Sequence, residues 1–186
     1  MEKIEVSAER LYYPMPCSLV GANVEDKANF LTVAWFTMAN PKPPCVLVTL
    51  NKAHYTNAGI VENGTFSINI PSVKMVKKTD HCGLVSGKTT DKAALFKTFY
   101  GKLKTAPMIE DCPINMECTL TKTVDFPTHD IFIGNVTATY CDEAVLTEGT
   151  VDFSKVQPIL FVMNDKSYWK LGDKFAKAWD VGKEPK

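Results

Sequence analysis

Arginine is almost missing from this chain. Arg10 is the only one, and the other basic residues are lysines. Basic and acidic residues number 21 each, so the formal net charge is zero. No clustered basic face is visible, and nucleic-acid binding needs one. No apolar run approaches the length that crosses a bilayer. The opening MEKIEVSAER lacks the apolar core of a signal peptide, so a cytoplasmic protein is expected, with neither nucleic acid nor membrane as a partner. Histidine is scarce, with only His54, His81 and His129. No GxSxG, HExxH, Walker or GxGxxG pattern occurs, so a Rossmann dinucleotide site and the usual catalytic signatures lack support. The six cysteines, Cys17, Cys45, Cys82, Cys112, Cys118 and Cys141, never form CxxC. A zinc or iron–sulfur site is therefore poorly supported and no metal is expected. Reduced thiols buried as small apolar groups are the plain expectation.

What is there is ordinary globular material. The chain has 186 residues, 45% hydrophobic and 23% charged, which suits one domain over 1–186 with a real core. Only Lys183–Lys186 reads as a loose tail. Most of the chain reads as short strands between turn signals: Ser18–Val24, Phe30–Phe36, Cys45–Leu50, Thr65–Ile70 after an Asn63–Gly64 turn, Ile114–Asp125 and Ile131–Tyr140. Ile159–Met163 and Tyr168–Leu171 read as a final hairpin turning at Asn164–Asp165. In Ile114–Asp125, Met116, Cys118, Leu120 and Val124 share one face, and Glu117, Thr119, Thr121 and Thr123 the other. Gly134 interrupts its strand, which suggests a bulge or a close backbone approach. Helical signals are fewer: Asn57–Glu62 with Thr56 as N-cap, Val73–Asp80, Asp91–Tyr100 and the short amphipathic Asp173–Trp179. The balance points to a mainly β protein, a barrel or two-sheet structure with short helices outside.

Three stretches could carry chemistry. In NFLTVAWFTMANPKPPCVLVTL, Asn29–Leu50, polar Asn and Thr residues and Trp35 sit among apolar strand residues. A Pro-rich turn then excludes a continuous helix or central strand. This reads either as a barrel corner or as a pocket that holds a flat aromatic ligand. In LNKAHYTNAGI, Leu50–Ile60, Lys52, His54, Tyr55 and Thr56 crowd a helix start, where free N–H groups and partial positive charge suit a phosphate; the plainer reading is an ordinary capped helix. In HCGLVSGKTTDKAALF, His81–Phe96, two glycine-bearing turns flank Ser86 and would let backbone approach a ligand; the plainer reading is a surface loop. His129 begins a strand, either as a surface residue or as a contact at a barrel rim.

Taken together, these stretches resemble the flavin reductase-like family of FMN-binding split barrels, and within it the flavoredoxin-type branch. The likeness rests on Asn29, Thr32 and Trp35, the NPKPP turn, and Lys52, His54 and Thr56. It continues through FSINIP at Phe66–Pro71, then Cys82-Gly83, Ser86-Gly87 and Asp91-Lys92. His129 with Phe132 and Gly134, VDFSKVQPILF at Val151–Phe161 and YWKLG at Tyr168–Gly172 complete it. The resemblance implies a homodimer of six-stranded split β-barrels, each holding FMN noncovalently. It implies that Thr32, Val33, Ala34 and Trp35 line the isoalloxazine and that Asn29 helps orient ring or ribityl chain. Thr49, Leu50, Asn51 and Lys52 would reach the ribityl and phosphate, with His54 and Thr56 completing the phosphate site. Cys82, Gly83 and Ser86 would close over the flavin, and Trp169 would stand near the ring. His129 would contact a nicotinamide. Lys52 stands where many members carry Arg, and Lys makes a point-charge contact rather than a fork.

Three functions follow for testing. One is an NAD(P)H-dependent flavin or ferric reductase. The second is a flavoredoxin-type carrier that takes electrons from a redox protein. The third is a β-barrel binding protein without flavin.

Overall fold

In the computed structural model, which describes residues 1–9 and 12–183, the strands run in chain order. They are β1 (Met15–Pro16), β2 (Ser18–Val24), β3 (Lys27–Val33), β4 (Phe36–Pro41), β5 (Pro44–Asn51), β6 (Thr65–Ile70), β7 (Thr98–Phe99), β8 (Met108–Ile109), β9 (Ile114–Asp125), β10 (His129–Cys141), β11 (Leu146–Thr147), β12 (Thr150–Val151), β13 (Ile159–Val162) and β14 (Ser167–Lys170). The α-helices are α1 (Thr56–Asn63), α2 (Val76–Leu84) and α3 (Phe153–Val156). Of the expected loose tail, Lys183 folds back on Asp180, and the rest lies outside the described residues. No helix among the described residues is long and apolar enough to cross a membrane.

Seven antiparallel strands form one sheet in the order β3-β2-β6-β9-β10-β5-β4. Its edge strands, β3 and β4, are consecutive in the chain and only Ala34 and Trp35 separate them. Three peptide links span roughly 11 Å at most, so the sheet must curl until its edges meet at that end. Thr49 N–H bonds the Trp35 carbonyl there at 2.8 Å. β3 and β4 are not hydrogen-bonded neighbours, which leaves the barrel split along this seam. The interior is filled by Val20, Leu31, Val48, Phe66, Ile68 and Phe132.

The expected single strand Phe30–Phe36 is therefore two elements, with the break at Ala34–Trp35. That break yields seven sheet strands where the resemblance implied six. The Pro-rich segment closes the β4–β5 hairpin, with Pro41 opposite Pro44, and it sits on an edge strand, where missing N–H groups are tolerated. Gly134 marks both a register shift and a close approach: a Cβ there would lie 2.6 Å from Phe66 Cε1.

Helical expectations fared less well. Val73–Met75 is a 3₁₀ turn, and α2 runs on to Leu84. Cys82 and Gly83 are therefore on a helix rather than in a turn. Asp91–Tyr100 is not a helix; it holds a 3₁₀ turn, Ala93–Leu95, and then β7. Lys92 is buried there, Phe96 packs edge-on against Phe30 at 5.6 Å, and β7 pairs with β8. These tertiary anchors outweigh a weak local preference. Asp173–Trp179 has no helix. Phe175 and Trp179 are 98% and 96% exposed, so no apolar burial supports so short a helix. Thr56 does not cap α1; the N-cap residue is Tyr55, and the Thr56 hydroxyl accepts from Asn29 Nδ2 at 2.7 Å. Glu117, expected on the polar face of β9, is fully buried. The segment after β7 covers it: its carboxylate accepts the Lys102 and Leu103 N–H groups at 2.9 and 2.7 Å and the Tyr140 hydroxyl at 2.7 Å.

Candidate functional site

The barrel seam opens into a groove of three cavities in series. The first, about 260 Å³, lies where β3 ends, the seam crosses and β5 ends. Thr32, Val33, Ala34 and Trp35 form one side, and Thr49, Leu50 and Asn51 another. The Thr32 hydroxyl donates to the Thr79 carbonyl, which pins β3 to α2. Trp35 and His129 lie against each other, with centroids 5.0 Å apart and planes 31° apart. Thr128 Oγ1 bonds His129 Nδ1 at 2.8 Å and sets the ring's orientation. The far wall is the β13–β14 hairpin, through Phe161 and Tyr168. The Tyr168 hydroxyl donates to Asp80 Oδ1 at 2.8 Å and ties the hairpin to α2. Cys17 completes the lining; burial pushes its thiol up to about 12, so it is protonated and chemically quiet.

The second cavity, about 220 Å³, shares His54 and Gly83 with the first. Tyr55, Thr56, Ser86 and Lys92 line it. Lys92 is only 3% exposed. Its ammonium donates to the Cys82 and Val85 carbonyls at 3.1 and 3.3 Å. It thus sits on the carbonyl end of α2, where a helix favours a cation. An ammonium carries three donors, and these two bonds leave one for the cavity. Burial pulls the Lys92 pKa below its ordinary value. The His54 ring is likewise pulled down, by burial and then by the charges of Lys92 and His129. The third cavity, about 280 Å³, shares Tyr55, Gly87 and Lys92 with the second and lies between the β2–β3 turn and residues 87–92.

Most residues expected in the site do line this groove. Thr32, Val33, Ala34, Trp35, Thr49, Leu50, Asn51, His54, Gly83 and His129 line the first cavity, and Thr56 and Ser86 the second. Four depart. Lys52 lines none of the cavities; Asp125 and Asp130 each hold its ammonium at 2.5 Å, and these bonds raise its pKa. Cys82 is fully buried with its thiol pushed up to about 11, so it offers a backbone carbonyl to Lys92 rather than a sulfur to the groove. Asn29 lines the third cavity, not the first. Trp169 is 59% exposed and its neighbour Tyr168 faces the groove instead, because alternate strand residues point to opposite faces. Tyr55, named among the residues that crowd the helix start, does line the second cavity, whereas sequence reasoning gave no lining role to Cys17, Phe161 or Tyr168 and no role in the site to Lys92. Only the Asp91-Lys92 match within the resemblance hinted at Lys92.

The family profile described as the flavin reductase like domain matches residues 10–168, most of the chain. The chain belongs to the flavin reductase-like family. Its likeness is to the flavoredoxin-type branch. The flavoredoxin of Methanosarcina acetivorans is 49% identical with a TM-score of 0.96, over 98% of each chain. The flavoredoxin of Desulfovibrio vulgaris (Miyazaki F) is 33% identical with a TM-score of 0.90, over 98% of this chain and 100% of that one. YddH of Escherichia coli (strain K12) is 30% identical over 78% of this chain and 80% of its own. For a flavin reductase-like domain, the groove divides its labour plainly. The seam end is aromatic and rich in backbone, and the α1–α2 end holds a buried cation beside hydroxyls.

Proposed function

We propose that this chain binds FMN noncovalently and uses it for hydride or electron transfer. The observation that carries the reading is the order of the groove: a partly aromatic cavity at Trp35 shares His54 and Gly83 with a cavity lined by the buried Lys92. That order matches a planar ring at one end of a ligand and a phosphate at the other. The donor set fits the group. Lys92, Ser86, Thr56 and His54 offer the cation and polar hydrogens that a phosphate dianion takes up. Thr32–Trp35 and Thr49–Asn51 offer the strand-end backbone and indole that suit the ring. Lys52 is not part of this set.

Bound FMN supplies the redox chemistry, and the protein supplies binding, orientation and electrostatics. The chain's own residues would hold the ligand, with Thr32–Trp35 and Thr49–Asn51 at the ring and Lys92, Ser86, Thr56 and His54 at the phosphate. Neutral His54 adds no second buried cation beside Lys92. His129, stacked on Trp35 at the mouth of the first cavity, is the residue we assign to contact an incoming nicotinamide. The working reading is therefore an NAD(P)H-dependent flavin or ferric reductase, acting in the cytoplasm as a homodimer. The likeness to two flavoredoxins favours a second reading, a carrier charged by a redox protein.

The visible spectrum of the purified protein, recorded without air before and after NAD(P)H, tests both. A bound-flavin spectrum that bleaches supports the reductase. A flavin spectrum that persists supports the carrier. A colourless protein that takes up no added FMN returns the chain to a plain β-barrel binder.

A further inference from the structure

The far wall of the first cavity is held differently from the others. It belongs to the three-stranded sheet β1-β13-β14, which shares no ladder with the barrel sheet. Within it, β13 is well anchored. Cys17 N–H bonds the Ile159 carbonyl at 2.9 Å, Pro158 bridges Ser72, and Ile159 is buried. β14 is the outer strand. It pairs only with β13, and Trp169 and Lys170 are exposed. A two-stranded ribbon is marginal in water by itself. Among the described residues, the Tyr168 hydroxyl makes the one side-chain hydrogen bond from β14 to another element, to Asp80 Oδ1 at 2.8 Å.

We propose that Asp80 is a positioning residue of the ring cavity: through Tyr168 it holds β14 against α2 and so sets how tightly the ring is gripped. The inference rests on the FMN reading, which puts the ring in the first cavity. Asp80 follows Thr79, whose carbonyl accepts the Thr32 hydroxyl. Consecutive residues of α2 thus tie two walls of one cavity, β3 through Thr32 and the last hairpin through Tyr168. α2 is a firm post for both, because Thr79 and Cys82 seat it fully buried in the core. Burial first, and then the Asp80 bond, push the Tyr168 hydroxyl up from its ordinary value, so it stays protonated and remains the donor. A hydrogen bond to a carboxylate is stronger than one between neutral groups. Phe161 stands opposite Tyr168 in the ladder, with ring centroids 5.9 Å apart. With its hydroxyl committed to α2, Tyr168 meets a ligand with its ring. The signature differs from that of Lys92: a phosphate contact separates FMN from riboflavin, whereas a wall at the ring end serves both alike.

The test compares Asp80→Ala, Asp80→Asn, Tyr168→Phe and the double variant Asp80→Ala/Tyr168→Phe. FMN and riboflavin are titrated into flavin-free protein, and hydrogen exchange of 167–170 is followed in the flavin-free state. Asp80→Ala is expected to weaken both flavins by the same factor, about 5- to 20-fold, and to speed exchange in β14 while β2 exchanges as in wild type. Asp80→Asn keeps an acceptor oxygen and is expected to lose less than about threefold. In the Tyr168→Phe background, Asp80→Ala is expected to add less than about twofold. Four results would each overturn the role: unchanged β14 exchange and flavin binding in Asp80→Ala; a loss confined to FMN; equal losses in Asp80→Asn and Asp80→Ala, which would assign the effect to charge; or full additivity with Tyr168→Phe. In all four the wild type still binds FMN, so the FMN reading survives. A wild type that takes up neither flavin fails that reading, and the ring-gripping role fails with it.

Discussion

Two lysines compete for the phosphate role, and their surroundings separate them. Lys52 sits in the open between two carboxylates, each 2.5 Å from its ammonium. A dianion would have to displace both and meet their repulsion. Lys92 is held by two carbonyls in a buried place where a cation interacts strongly with a ligand anion. Lys92→Met is expected to weaken FMN by about 1.5–3 kcal/mol, roughly 10- to 150-fold in Kd, and to leave riboflavin within about threefold. Lys52→Ala is expected to change both ligands little. Equal losses of FMN and riboflavin in Lys92→Met, or a selective FMN loss in Lys52→Ala, would return the phosphate to the other lysine. In sequence, Lys52 was the natural choice because it precedes a helix start. The two aspartates that neutralise it come from β9 and from β10 beside it, more than seventy residues away. Cys82 is hidden from sequence for a similar reason: its burial comes from Leu19, Phe30 and Ile109, which are distant in the chain.

At the scale of elements, the long alternating strands were legible and the short helices were not. Ser18–Val24, Thr65–Ile70 and Ile114–Asp125 match the expected spans to the residue, because period-2 alternation records which face a strand buries. The 91–100 segment defeated the same reasoning, since Lys92 looks like a surface residue until α2 supplies carbonyls for it. Gly134 is the element-scale position whose reason was visible early. Phe66 is fully buried and cannot swing aside, so Gly134→Ala is expected to cost about 1–3 kcal/mol through overpacking. Urea unfolding measures this, and a midpoint unchanged from wild type would show that β10 shifts freely at its bulge.

At the scale of the whole molecule, the groove is assembled from β3, β5, α1, α2, β10, the loop at 86–92 and the β13–β14 hairpin. No single stretch contains it. The homodimer we propose belongs to this scale as well, since Phe175 and Trp179 find no cover among the described residues. Sedimentation is expected to show a dimer of 20.6 kDa chains; a monomer at micromolar concentration would remove the dimer from the proposal. What the sequence determined by itself was the β class, the turn positions and the residue types that crowd the seam. These depend on local rules: alternation, proline geometry and glycine permissiveness. The tertiary structure alone decided where β3 breaks, which lysine is buried beside the groove and which face of the last hairpin looks inward. Those outcomes depend on partners distant in the chain, and burial and charge pairing exist only after the chain has brought them together.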